Sequence, residues 1–175
     1  MRKHAVLVHG FNVSDGGKET IATLEPYLRD YNLQSANYGH FGLLGVRMYN
    51  KSIAKMLTGM VVPGSIGIGH SNGCAILARA CDLGAPIKKL ILINPALDRD
   101  WKFCDSLEEI IVLHNIHDHV VTKSKWLFNH PWGELGRTGY EGDDPRVINV
   151  ETYAEYGVEG HSGFFEKPWC ITKYL

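Results

Sequence analysis

Three stretches of this chain carry residue types suited to nucleophilic catalysis: a serine between glycines, a carboxylate just past a strand and a histidine on a glycine-flanked loop. The serine is Ser71, at the centre of Gly69-His70-Ser71-Asn72-Gly73, a Gly-x-Ser-x-Gly pentapeptide. Ser65 to Ile68 reads as the end of a buried strand, and the chain from Cys74 onward as a helix rich in small apolar residues. Joining a strand to a helix with almost no loop forces the central residue into a strained backbone conformation. Close-packed glycines at positions 69 and 73 permit that. The Ser71 hydroxyl then stands above the sheet edge, at the N-terminus of the helix. There the backbone N–H of Asn72 and the positive end of the helix dipole can stabilise a developing oxyanion. A chain with 19 glycines also produces such pentapeptides by chance, and an ordinary strand-to-helix turn would look the same. The surroundings decide between the two.

Asp118 lies just past the apolar run Glu109 to His114. A carboxylate there can hold a histidine in its productive tautomer and stabilise the charged form. Asp98, Asp100, Asp143 and Asp144 compete for this role, but they lie farther past a strand or in a Gly-rich loop. His161, within Gly160-His161-Ser162-Gly163, is the one histidine of nine on a loop after the last expected strand. It opens the final helix and is placed to reach Ser71. The same loop also reads as a plain helix start with Ser162 as the cap. His9, His40 and His130 are the fallback candidates, whereas His70 is too close in sequence to turn its ring onto Ser71. After the first strand, Gly10 would let the backbone come close and the Phe11 N–H act as a second oxyanion donor; a simple glycine turn accounts for it equally well. The run His114, His117, Asp118, His119 raises the question of a metal. Adjacent residues on an extended chain point to opposite sides, and no further Cys/His cluster accompanies them. Neither metal nor other cofactor is expected.

To position these residues the chain needs strands alternating with helices. Strands are expected at His4 to Val8, Gln34 to Tyr38, Ser65 to Ile68, Lys89 to Asn94, Glu109 to His114 and Arg146 to Glu151. Between them, helices are expected from Lys18 to Tyr31 (with Pro26 in its middle), over a face of Ile53, Met56, Leu57 and Met60, and from the elbow to about Gly84. A short helix over Val121 to Phe128 and a C-terminal one over Gly163 to Leu175 complete the set. Asn12 to Gly17, Gly39 to Gly45 and the Gly-rich stretch 129–145 read as loops. This alternation implies an α/β fold, a mainly parallel sheet of about six strands with helices on both faces and ligands bound beyond the strands' carboxyl ends. For the pocket, Phe41, Leu43, Leu44 and Val46, or Trp126, Leu127, Phe128 and Trp132, are candidates, although each also reads as a packing residue.

Composition sets outer limits. At 175 residues the chain fits one domain, 1–175, without repeats or linker-like tracts. With 18 Lys and Arg against 19 Asp and Glu, the net charge of −1 offers no attraction to nucleic acid or anionic membrane. No stretch reaches the roughly 18 apolar residues of a membrane span, and the run Ala5 to Val8 is too short for a signal-peptide core. Cys74, Cys81, Cys104 and Cys170 show no Cys-x-x-Cys spacing, so a reduced, cytoplasmic protein is expected.

The order Ser71, Asp118, His161 resembles that of the α/β-hydrolase family, whose nucleophile, acid and histidine follow one another along the chain. The likeness covers nearly the whole sequence, from His9-Gly10-Phe11 through the elbow and Asp118 to Gly160-His161-Ser162. The resemblance implies a serine nucleophile acting on a small acyl-ester substrate, with thioesters and amides within the family's range. The first clear strand begins at His4 and the stretch from Ser71 to Asp118 holds little beyond one helix and two strands, so the extra N-terminal strands and inserted cap common in the family are not expected. The chain is similar to small lidless esterases and lipases, with an open site. An acyltransferase, or an amide or carbon–carbon bond hydrolase, would use the same residues; a catalytically silent binding protein on this fold is the non-enzyme alternative, against which the complete set of catalytic residue types argues. Oligomeric state is not legible.

Overall fold

The computed structural model describes residues 2–11, 15–38, 46–123 and 132–175. Six strands form one sheet: β1 (Lys3–Val8), β2 (Tyr31–Ala36), β3 (Ser65–His70), β4 (Ile87–Ile93), β5 (Glu109–His114) and β6 (Val147–Glu151). Their order is β2-β1-β3-β4-β5-β6, and every neighbouring pair is parallel.

The apolar runs of the inner strands are continuous because both faces of the sheet are covered. Alternate residues serve opposite layers: Val6 and Val8, Leu90 and Leu92, Ile110 and Val112 join one core cluster, which includes residues of α1 (Val46–Met60) and α2 (Asn72–Asp82). Ala5 and Leu7, Ile91 and Ile93, Ile111 and Leu113 join the other, capped by Ile21, Leu24, Phe164 and Ile171. The order of winding reverses between β1 and β3, so a crevice opens there beyond the strand ends.

The second face is covered by 3-10 turns rather than the expected α-helices. Ile21–Tyr27 is a 3-10 helix with Pro26 inside; Pro26 has no N–H to give and its ring opposes a regular α-helix. The C-terminal segment splits into 3-10 helices Gly163–Glu166 and Pro168–Tyr174. The break is at Lys167 (φ −128°, ψ 58°), because a residue before proline is driven out of the helical region.

β2 lies earlier than expected. Tyr31, expected on a helix face, is its first residue and is buried against the second core cluster. On α1 the buried stripe is Val46, Asn50, Ile53, Ala54 and Leu57, while Met56 and Met60 are 51% and 56% exposed. The helix is thus rotated from the expected face, bringing Ala54 into the core shared with α2. Val46 is buried and does not line the cavity at Ser71.

Three short helices complete the description: α3 (His119–Lys123), α4 (Leu135–Thr138), inside the stretch read as loop, and α5 (Thr152–Tyr156), which was not anticipated. The rest of the helix expected over Val121 to Phe128, the loop at 39–45, residues 12–14 and 129–131, and the pocket candidates Phe41, Leu43, Leu44, Trp126, Leu127 and Phe128 lie outside the described residues. Among the described residues no helix is long and apolar enough to cross a membrane.

Candidate active site

β3 turns into α2 through one residue, Ser71, whose φ of 54° and ψ of −121° lie far from any strand or helix. Its N–H donates to the Ile93 carbonyl at 2.9 Å and its carbonyl accepts from Cys74 and Ala96 at 3.1 and 3.2 Å. The strained residue is therefore held by its own backbone bonds on both sides. The flanking glycines are required by crowding. A Cβ on Gly73 would lie 2.2 Å from the Val8 carbonyl oxygen, and one on Gly69 2.9 Å from the Cys74 nitrogen. Asn72 is the first residue of α2, where backbone N–H groups lack acceptors within the helix.

The register Val8↔Gly69 brings the tip of β1 beside this turn. A Cβ on Gly10 would sit 3.3 Å from that of Ser71. The tip is held by Tyr38, whose hydroxyl is 2.7 Å from the carbonyls of both His9 and Gly10. The His9 ring stacks on Tyr38 at 4.2 Å, and its Nδ1 donates to the Gly10 carbonyl. His9 is thus a buried support of the strand end, away from the role of a base at Ser71. His40 and His130 lie outside the described residues.

Asp118 and His161 meet: Nδ1 of the imidazole is 2.7 Å from Oδ2 of the carboxylate. Asp118 is fully buried. Oδ2 also accepts from Asn94 Nδ2 at 3.0 Å, and Oδ1 accepts from the backbone N–H groups of Val120 and Val121 at 3.0 and 3.3 Å. Its rivals are elsewhere. Asp98, Asp100 and Asp143 are exposed, and Asp144 pairs with Arg146 at 2.6 Å. Ser71 and His161 line one cavity of about 450 Å³ with Gly10, Phe11, Trp132 and other residues. Among the described residues no hydrogen bond joins the two. Ser162 makes no side-chain cap on the helix that follows it.

Similarity to known proteins lies in the fold. No family model matches this sequence, and no curated protein is recognisably related to it. Solved structures do match. The ydeN gene product from B. subtilis aligns over 99% of this chain and 96% of its own, with a TM-score of 0.61 and 14% identity. A predicted CIB-like hydrolase from Thermoplasma acidophilum aligns over 99% and 84%, with a TM-score of 0.56 and 19% identity. The esterase domain of a Rhodothermus marinus protein aligns over 99% and 84%, with a TM-score of 0.55 and 15% identity.

The chain has the α/β-hydrolase fold.

Within that fold, four polar residues around the site escaped the sequence reading. Asn94, at φ 45°, ends β4 and turns its amide onto Asp118. A lone Asn closing an apolar strand is the only signal it leaves. Asn115, fully buried, donates to the Val158 carbonyl at 2.8 Å and accepts from the Gly160 N–H at 3.3 Å, tying the His161 loop to the end of β5. Asn50 on α1 exchanges two amide hydrogen bonds with Asn72, at 2.7 and 2.9 Å. His70 is the fourth. Its Nε2 is 3.0 Å from the His161 carbonyl, and burial, followed by the proximity of His161, holds its pKa down at about 3.

Trp132, a pocket candidate from the sequence, does line the cavity: it donates its indole N–H to Asn72 Oδ1 at 2.9 Å and meets the Phe11 ring edge-on at 5.1 Å. It walls the cavity beside both expected oxyanion donors. Gly133 lets this segment lie against the chain, since a Cβ there would be 2.2 Å from the Leu97 carbonyl. Behind the turn, the buried Cys74 thiol has its pKa pushed up by desolvation, so it is no rival nucleophile. Among the described residues no group of three or more His, Cys, Asp or Glu side chains is arranged to hold a metal ion. His114 is 3.4 Å from the Arg137 carbonyl and His117 meets the Tyr153 ring edge-on, so the sequence cluster is spread over different partners.

Proposed function

We propose that this chain is a serine hydrolase that cleaves carboxylic esters, or thioesters, through an acyl-enzyme on Ser71. The observation that carries the reading is the Asp118–His161 pair at 2.7 Å, its carboxylate buried and its imidazole opening into the same cavity as a serine held at φ 54°. Ser71 Oγ attacks the substrate carbonyl while His161 Nε2 takes its proton. Asp118, bonded to Nδ1, fixes the tautomer that leaves Nε2 bare and stabilises the imidazolium. The Ser71–His161 hydrogen bond forms as the substrate enters, as catalytic contacts often tighten only in the complex. The negative oxygen that develops is received by the backbone N–H groups of Asn72 and Phe11, each worth about 3 kcal/mol to the transition state. His161 then protonates the departing alcohol or thiol, and a water activated by the same nitrogen releases the acid. The residues complete this cycle without a cofactor.

We read the chain as a single domain without an inserted cap. The described cavity wall is largely apolar (Phe11, Ala96, Val120, Val121 and Trp132), which suits an uncharged acyl chain. Two of the matched structures are described as an esterase domain and a lipase, in line with this choice. A fluorophosphonate probe should label Ser71, and Ser71→Ala should lose both labelling and hydrolysis of 4-nitrophenyl esters by on the order of 1,000-fold or more. Labelling that persists in the variant would refute the assignment.

A further inference from the structure

We propose that His70, the residue before the nucleophile, is a positioning residue that tethers the catalytic base by donating its Nε2–H to the main-chain carbonyl of His161. The inference rests on the reading of His161 as that base. A carbonyl only accepts, so the 3.0 Å contact fixes the proton of His70 on Nε2 and leaves Nδ1 bare. Nδ1 is buried and has no hydrogen-bond partner, so a second proton there would meet neither water nor an acceptor. Desolvation accordingly keeps His70 neutral throughout the working pH range, and it never sets a second charge beside the imidazolium.

The ring is clamped on three sides. It lies 4.9 Å from the His161 ring at 45° and meets Phe165 edge-on at 4.9 Å. On the Gly10 side, a Cβ would come within 3.2 Å of Nδ1. The loop that carries His161 needs such an anchor. Gly157 and Gly160 both have positive φ, and Asn115 holds the loop only on the N-terminal side of His161, at Val158 and Gly160. Asp118 holds the His161 ring, and His70 supplies the hold on its main chain. Because Ser71 is its next neighbour, nucleophile and base are located from one peptide unit, and an error in one is shared by the other. Misplacing a reacting group by about an ångström can cost on the order of 100-fold in rate.

The test compares His70→Gln, whose amide reaches about as far as Nε2, with His70→Asn, one methylene shorter, and His70→Phe, which keeps a ring without a donor. With 4-nitrophenyl butyrate, His70→Gln should keep kcat within about 3-fold of the parent. His70→Asn and His70→Phe should lose roughly 10- to 100-fold in kcat with little change in KM. In proton NMR of ¹⁵N-histidine-labelled protein, the His161 Nδ1–H shared with Asp118 should stay sharp in His70→Gln and broaden or disappear in the other two. Run in a Ser71→Ala background, this readout needs no activity, so it stands even if the hydrolase reading fails. If His70→Phe does not fold, the Gln–Asn pair carries the comparison. Equal kcat in the Gln and Asn variants, or an unchanged Nδ1–H signal in both, would overturn the proposal.

Discussion

Among the described residues Asp118 receives four N–H donors, and only one of them belongs to His161. The amide of Asn94 is the contact that aims Oδ2, and it comes from a residue at φ 45°, where most side chains are strained. Backbone and side chain can therefore be separated by substitution. Asn94→Gly tolerates the backbone conformation and removes only the donor; it should lower kcat about 10-fold and leave the melting temperature within a few degrees. Asn94→Ala removes the donor too but keeps a Cβ at this φ without the polar side chain that makes asparagine tolerant of it, so it should be about 1 kcal/mol less stable than Asn94→Gly in urea titration. Equal stability of the two variants would show that the positive φ is relaxed without cost. Asp118→Asn should be far more severe, on the order of 1,000-fold or more in kcat, because an amide oxygen at that site no longer stabilises the imidazolium. The residue types Ser71, Asp118 and His161 were legible from the sequence because each follows a recognisable element: a strand-to-helix glycine turn, an apolar strand, a glycine-flanked loop. Asn94, Asn115 and His70 were not, because what they do depends on contacts with residues 24, 43 and 91 positions away, which no local pattern encodes.

The elbow is the element on which the site depends, and its tolerances differ from those of the helix beside it. In α2, a Cβ at Gly73 would drive into the carbonyls of Val8 and His9, at 2.2 and 2.5 Å. Neither β1 nor α2 can give way without disturbing the sheet, so Gly73→Ala should cost about 3 kcal/mol or more. In α1, Gly59 would meet nothing within 4 Å. Gly59→Ala should stabilise the protein by about 0.5–1 kcal/mol through helix propensity alone. Urea unfolding of both variants checks the pair, and a stabilising Gly73→Ala would contradict the crowding at the elbow. At this scale the sequence was informative about strands and less so about helices. A strand buried on both faces writes itself as an unbroken apolar run, and Glu109 to His114 was located to the residue. Helical periodicity looks alike in α- and 3-10 conformations. The difference on the second face came from Pro26 and Pro168, which oppose a regular α-helix without dictating what replaces it. The face of α1 was misplaced for a related reason: Met56 and Met60, two of its three exposed methionines, are as apolar as the Ile53 and Leu57 it buries.

For the molecule as a whole, the histidine buried beneath the site makes folding sensitive to pH. His70 titrates near 6.5 when the chain is open and near 3 when it is folded. A depressed value means that, between these limits, the unfolded chain binds the proton and the folded one does not. Stability therefore rises with pH across this window: it is complete above about 6.5 and is lost progressively as pH falls toward 3. Each unit within the window is worth up to about 1.4 kcal/mol. His114, also depressed by burial, adds a term of the same sign. Carboxylates held below their ordinary values, Asp144 by Arg146 and Glu151 by backbone N–H groups, keep their contribution until pH falls below about 4. Over the interval from pH 7 to pH 5 the histidines set the slope, opposed by Asp82, whose carboxyl burial raises above its ordinary value. Urea midpoints for the parent chain should fall by an amount equivalent to roughly 2 kcal/mol over that interval. In His70→Gln, which keeps a donor and has nothing to titrate, the fall should shrink to what His114 leaves. Equal slopes in parent and variant would mean that His70 is protonated, or solvated, in the folded protein. The neutral tether assigned to it would then lack its electrostatic basis.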